Sequence, residues 1–210
     1  MQSSTLSRAT MGRLPLYLQF VRTVKTETVS SAAVARHLGL GEVQVRKDLA
    51  SICTAGMPKV GYPSDRLRSD LEKVLGMQHT EPAVIVGAGR LGRALMEYDG
   101  FREYGMEISA AFDISGTDES HEGIPILQMD QMRRWCLLHD VHLGILAVPA
   151  ASAQEAANAM VNSGITGILN FAPCPVHVPE TVTVRQENIA LSLAYLKMTA
   201  CTPGQMKEED

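Results

Sequence analysis

Little in this sequence points to a membrane or an oxidising compartment. No apolar run reaches the roughly 20 residues that a membrane-spanning helix needs. The longest, Val141 to Ala153, is interrupted by His142, Pro149 and Ser152. The polar start (Ser3, Ser4, Thr5) has no apolar signal core. Cys53, Cys136, Cys174 and Cys201 are far apart and form no C-x-x-C pair, so they are expected to be reduced thiols of a cytoplasmic protein. There is no internal repeat and no low-complexity segment. No metal-ligand cluster or acid–base pair stands out, and the six histidines are scattered. A catalytic centre and a bound metal are therefore not expected.

What is present is a chain of 210 residues, 45% hydrophobic and 20% charged, in the range of a soluble globular protein. That length suits one ordinary domain and one small one. The net charge of −4 hides an asymmetry. Residues 1–80 hold 11 basic and 6 acidic residues, a net +5, whereas residues 81–210 hold 8 and 17, a net −9. A basic part beside an acidic part is expected when only the first meets a polyanion.

The pattern changes between Gly76 and Pro82. Before it, apolar residues recur at helical spacing: Leu14, Leu18 and Val21; Val34, Ala35 and Leu38; Val45, Leu49 and Ile52. After it, short β-branched runs (Ala83–Val86, Ile108–Phe112, Leu143–Val148, Ile165–Asn170, Val182–Arg185) alternate with helical stretches. The expected fold class is α/β, an N-terminal winged helix-turn-helix domain followed by a Rossmann-type doubly wound parallel sheet. The tail from Thr202 to Asp210 is polar and expected to fray.

Val29 to Gly41 reads as a short helix and a turn. Ser30 or Ser31 can cap the helix, and Gly39 can end it in the left-handed conformation. A second helix follows from Glu42 to about Cys53. With Val45, Leu49 and Ile52 buried, Val43, Gln44, Arg46 and Lys47 face outward, and Asp48 falls at the buried edge, suited to pairing with an arginine. An amide, two cations and an apolar group are what reads a major groove; the same residues would also suit a solvated face. Ala55 to Pro63, with two glycines and two prolines, fits either a wing carrying Lys59 or a plain inter-helix loop. The expected DNA contacts are Ser31, Val43, Gln44, Arg46, Lys47 and Lys59.

The run Ala83 to Met96 reads as strand, glycine loop and helix. Gly87, Gly89 and Gly92 complete G-x-G-x-x-G, and the strand before it makes the match meaningful. Gly87 permits the tight turn, Gly89 lets backbone approach a pyrophosphate and Gly92 lets the helix pack on the strand. Asp113 ends the next strand, 21 residues beyond Gly92, at the offset of the acid that binds ribose hydroxyls. A carboxylate there repels a 2′-phosphate, which favours NAD(H) over NADP(H). Asp113 could also be a plain turn residue. The turns Ala147-Val148-Pro149 and Asn170-Phe171-Ala172-Pro173 are expected to line the nicotinamide half. The cofactor set expected from these residues is Gly87, Ala88, Gly89, Arg90, Leu91, Gly92, Asp113, Ile114 and those two turns.

Taken together, several segments resemble the redox-sensing transcriptional repressor Rex family. They are Arg13-Leu14-Pro15-Leu16-Tyr17, Val45-Arg46-Lys47-Asp48-Leu49, Val60-Gly61-Tyr62, Leu75-Gly76, Val86 to Leu95, Gly144 to Ala150 and Gly167 to Pro173. The resemblance implies a homodimer that represses from palindromic operator DNA and is released by NADH. It implies domains at 1–78 (winged helix) and 79–186 (NAD(H)-binding), with a dimerisation helix exchanged between subunits in 187–210. Tyr98 matches a family tyrosine that couples cofactor to dimer. Two departures stand out. Ala50 to Lys59 replaces the family's phenylalanine–glycine stretch before the wing. Ala190 stands where the family has an aspartate, which implies a weakened redox coupling. A small NAD-dependent oxidoreductase with an accessory N-terminal domain is the competing reading.

Overall fold

The computed structural model describes residues 6–116 and 119–200. Cys201, the polar tail and the first serines lie outside them. The chain divides into two compact units, Met1–Thr80 and Glu81–Asp210.

The first unit contains helices α1 (Arg8–Thr23), α2 (Ser31–Leu38), α3 (Glu42–Ile52) and α4 (Ser64–Val74), with two-residue strands β1 (Thr28–Val29) and β2 (Tyr62–Pro63). Local chemistry sets the boundaries. The Ser7 hydroxyl accepts the Thr10 N–H and starts α1, and the Ser30 hydroxyl accepts the Ala33 N–H and starts α2. Gly39, at φ +64°, ends α2 in the left-handed region. Most of the expected apolar stripes enter the core: Leu14, Leu18 and Val21 from α1, Val34 and Ala35 from α2, Val45 and Leu49 from α3, joined by Tyr17 of α1 and Leu67 and Leu71 of α4, whereas Leu38 and Ile52 are only half-buried. The wing is a tight turn in which Met57 and Gly61 exchange backbone hydrogen bonds of 2.8 and 3.0 Å; it leads into β2, which pairs antiparallel with β1 from before α2. Gly61 sits at φ +108°, where an added Cβ would meet the Val29 carbonyl oxygen at 2.5 Å. That position requires glycine.

The second unit is a seven-stranded sheet. Its strands are β3 (Glu81–Val86), β4 (Met106–Asp113), β5 (Glu119–His121), β6 (Ile124–Gln128), β7 (Leu143–Leu146), β8 (Gly167–Asn170) and β9 (Thr183–Gln186), in spatial order β5-β6-β4-β3-β7-β8-β9. All neighbours are parallel except β5 and β6. Its helices are α5 (Arg90–Met96), α6 (Met132–His139), α7 (Ala150–Asn162) and α8 (Ile189–Ala200). The chain crosses to one side of β3 through β4 and β6, then to the other through β7, β8 and β9, the doubly wound pattern. Both faces of β3 are buried: Val84 and Val86 enter a core with Ala153, Ala157 and Met160, Ala83 and Ile85 a core with Met96 and Ile145.

Three expectations are corrected. The β5–β6 hairpin was not anticipated. The third expected strand stops at Leu146, not Val148, because Pro149 turns the chain into α7. The fourth begins at Gly167 rather than Ile165, whose side chain is buried ahead of the strand.

Candidate nucleotide cleft and nucleic-acid face

In an open parallel sheet, ligands settle where neighbouring crossovers diverge. Here that point lies between β3 and β7, at their carboxyl ends. A cleft of about 420 Å³ opens there, within the range of small-molecule sites. It is lined by Gly87, Gly89, Asp113, Ile114, Ala147, Val148 and Pro149, all expected from the sequence. The glycines divide the work. A Cβ on Gly87 would meet the Ala147 carbonyl oxygen at 2.5 Å, and one on Gly92 would come within 1.9 Å of the Gly87 carbonyl oxygen. A Cβ on Gly89 would meet nothing within 4 Å, so the space above it is open to a ligand. Residues that fit a dinucleotide would do this: two glycines close the loop on the protein, and the third clears a path for phosphate.

Asp113 holds the loop from the far side. Its Oδ2 accepts the Ala88 N–H at 2.8 Å, and its Oδ1 accepts the Ser115 N–H at 2.9 Å and the Ser115 hydroxyl at 2.7 Å. Burial pushes this carboxyl up. The bonds from Ser115 and Ala88 and the nearby Arg93 charge outweigh it and hold the group below the usual carboxylate range. Asp113 is thus ionised at neutral pH, and an ionised carboxylate retains further acceptor capacity.

Other expected residues stand elsewhere. Arg90 and Leu91 are exposed at the start of α5. Tyr98 lies outside the cleft lining; it is 59% exposed, with its ring edge-to-face on Phe101. Asn170 is 0% exposed. Its amide donates to the Cys174 carbonyl and to Gln186 Oε1 and accepts the Ala172 N–H, so it braces the turn that follows β8. Phe171, Ala172 and Pro173 do not line the cleft either. The residues missed are Val86, Phe112, Met129 and, on α7, Ser152, Glu155, Ala156 and Ala159. Pro149 N-caps α7, so the helix after β7 was the available signal.

In the first unit, Ser31, Arg46 and Lys59 line one concavity of about 800 Å³ between α2, α3 and the wing. Lys59 occupies the wing turn at φ +63°. Val43, Gln44 and Lys47 are exposed on α3 outside that concavity. Arg46 pairs with Glu42 one turn back at 2.7 Å, an exposed pair of small energetic weight. Asp48 is the centre of the face's support. It is 3% exposed and accepts from Arg13 Nε (2.8 Å) and Nη2 (3.1 Å), the Tyr17 hydroxyl (2.7 Å), the Thr10 hydroxyl (3.2 Å) and Gln44 Nε2 (2.9 Å). The expected structural role of Asp48 is what the geometry gives.

Among the described residues, no group of His, Cys, Asp and Glu could hold a metal ion, and no helix is long and apolar enough to cross a membrane.

Known proteins carry the same two parts. The family described as "Putative DNA-binding protein N-terminus" matches residues 5–50, and the family described as "CoA binding domain" matches residues 78–174. The redox-sensing transcriptional repressor Rex of Treponema denticola is 40% identical over 88% of this chain and 90% of its own. That of Carboxydothermus hydrogenoformans is 39% identical over 93% and 97%. The crystal structure of RSP in complex with β-NAD+ and operator DNA superposes with a TM-score of 0.85 at 27% identity, covering 94% of each chain. That of RSP in complex with β-NADH gives 0.82 at 26%, over 94% of this chain and 95% of the other. With 40% identity across nearly its whole length, this chain belongs to the family of redox-sensing transcriptional repressors called Rex.

Proposed function

We propose that this chain is a transcriptional repressor that binds palindromic operator DNA as a homodimer and lets go when NADH occupies its cleft. One observation carries the reading: a single chain joins a winged head bearing Ser31, Arg46 and Lys59 on one concavity to a cleft closed by Gly87, Gly89 and ionised Asp113. Relatives crystallised with NAD+, operator DNA and NADH support it. Residues 1–78 form the DNA-binding part and 79–186 the nucleotide-binding part. Residues 187–210 pass to the partner subunit. Gly89 faces the pyrophosphate in the loop that Gly87, Ala88 and Gly92 shape, Asp113 binds the adenosine ribose, and Val148 and Pro149 flank the base or nicotinamide. Arg46, Lys47 and Lys59 meet phosphates and base edges. NAD(H) is sensed rather than consumed. The relatives are repressors by name.

The test is a DNA-binding titration on the region upstream of the protein's own gene, with NAD+ and with NADH. Release by NADH and not by NAD+ is expected, with no NADH turnover on candidate substrates. Binding indifferent to both cofactors would sink the reading.

A further inference from the structure

An exposed glutamine on a helix is ordinarily a free rotor, and either end of its amide can face outward. Gln44 is different. It lies in the first turn of α3, the part of a recognition helix that reaches base edges. Its Nε2 donates to Asp48 Oδ1 at 2.9 Å. Asp48 is buried and ringed by Arg13, Tyr17 and Thr10, so it has one orientation. An ionised carboxylate only accepts. Turning the Gln44 amide over would set its oxygen against Asp48 Oδ1, so the nitrogen end is fixed inward. That leaves outward the carbonyl oxygen and one N–H.

We propose that Asp48 sets Gln44 as an adenine reader: Gln44 Oε1 accepts from the adenine N6 amino group while its free N–H donates to N7. This rests on the operator-binding reading above. Guanine offers two acceptors, O6 and N7, at the same edge, and one of them would oppose the fixed carbonyl. Asp48 acts here as a positioning residue and touches no base. Arg46 and Lys47 cannot supply this preference, because both carry donors only.

The experiment selects binding sites from a random-sequence duplex pool with the full-length protein and sequences the bound fraction. The unaltered protein is expected to demand adenine at one symmetric position in both half-sites. Q44A should lower the adenine-over-guanine preference at that position alone by about five- to 150-fold, the range of a lost bidentate base contact. Replacing that adenine with 7-deazaadenine should weaken the unaltered protein but not Q44A. D48N offers Gln44 either an oxygen or an amine, so it should accept adenine and guanine alike at the same position; circular dichroism reports whether it is folded. If D48N does not fold, Q44M decides, since it keeps the length of the side chain but has neither amide donor nor amide acceptor, and should lose the same preference. An adenine preference unchanged in Q44A overturns this inference alone. An unaltered protein with no sequence preference overturns both this and the repressor reading. A Q44A effect in a protein indifferent to NADH supports the adenine contact and overturns only the sensing.

Discussion

Asp48 keeps a charge where water barely reaches it, and five donors from four residues make that possible. Burial raises its carboxyl, but Arg13, Tyr17 and Gln44 together hold it below the usual carboxylate range. Burial and then the bond to Asp48 push the Tyr17 phenol up to about 12, so Tyr17 remains a donor at any ordinary pH. A carboxylate with a depressed folded value stabilises the protein above its unfolded value, about 3.9, and that stabilisation is lost as pH falls through the folded value. Removing the guanidinium leaves a buried charge short of its main partner, which typically costs about 3–5 kcal/mol. Arg13→Met is expected to lower the opening free energy of α1 and α3 by that amount at pH 7, and by less near pH 4, where the stranded carboxyl takes up a proton. Hydrogen exchange of the α1 and α3 amides measures both. Equal losses at the two pH values would remove Asp48 from the account. Asp113 invites a second substitution. Asp113→Asn keeps an oxygen for the Ala88 N–H but removes the charge that repels a 2′-phosphate. The preference for NADH over NADPH is expected to narrow, read by calorimetry; equal affinities in the unaltered protein would rule the idea out.

At the scale of elements, the sequence is legible where one physical signal dominates. In the G-x-G-x-x-G loop Gly87 and Gly92 sit where no side chain fits, so the glycine spacing after an apolar strand places it. Both buried faces of β3 make an uninterrupted apolar run. The β5–β6 hairpin has neither signal: β5 is Glu119-Ser120-His121, polar and three residues long, held by pairing with β6. Asn170, at the end of β8, has the pattern of a ligand-facing amide, yet it also braces its own turn through bonds to Cys174, Gln186 and Ala172. Nothing in a local pattern distinguishes the two. Helix α8 gives the opposite lesson. Ile189, Leu191, Leu193, Tyr195, Leu196 and Met198 are 57–71% exposed and no residue of the helix is buried. A helix apolar on all sides belongs inside a core, and this chain does not supply one. A second copy would, which is the exchange expected from the resemblance. A chain ended at Gln186 is therefore expected to sediment as a monomer or an aggregate. A truncated chain that forms a stable dimer would falsify the exchange.

For the whole molecule, sensing requires that the cofactor bind the DNA-competent and DNA-incompetent states with different affinity. The charge asymmetry, +5 over residues 1–80 and −9 over residues 81–210, confines the polyanion to one unit. The signal must therefore pass from a nucleotide cleft in one unit to a DNA face in the other. The resemblance implies that the family's aspartate at this position joins these functions through hydrogen bonds. In this chain Ala190 lies exposed near the start of α8, and its side chain can accept none. A hydrogen bond to a charged group contributes about 1.5–3 kcal/mol, and an entire allosteric coupling is typically about 1–3 kcal/mol. One missing carboxylate can thus remove most of the response while leaving both binding events intact. The unaltered protein is expected to show a small ratio between its DNA affinities with NAD+ and with NADH. Ala190→Asp should raise that ratio about tenfold, equivalent to ~1.4 kcal/mol, with little change in NADH affinity measured without DNA. The four affinities, two proteins with each cofactor, decide it. A large ratio in the unaltered protein that the aspartate leaves unchanged would place the coupling in other residues, with Tyr98 and Arg13 the next to substitute.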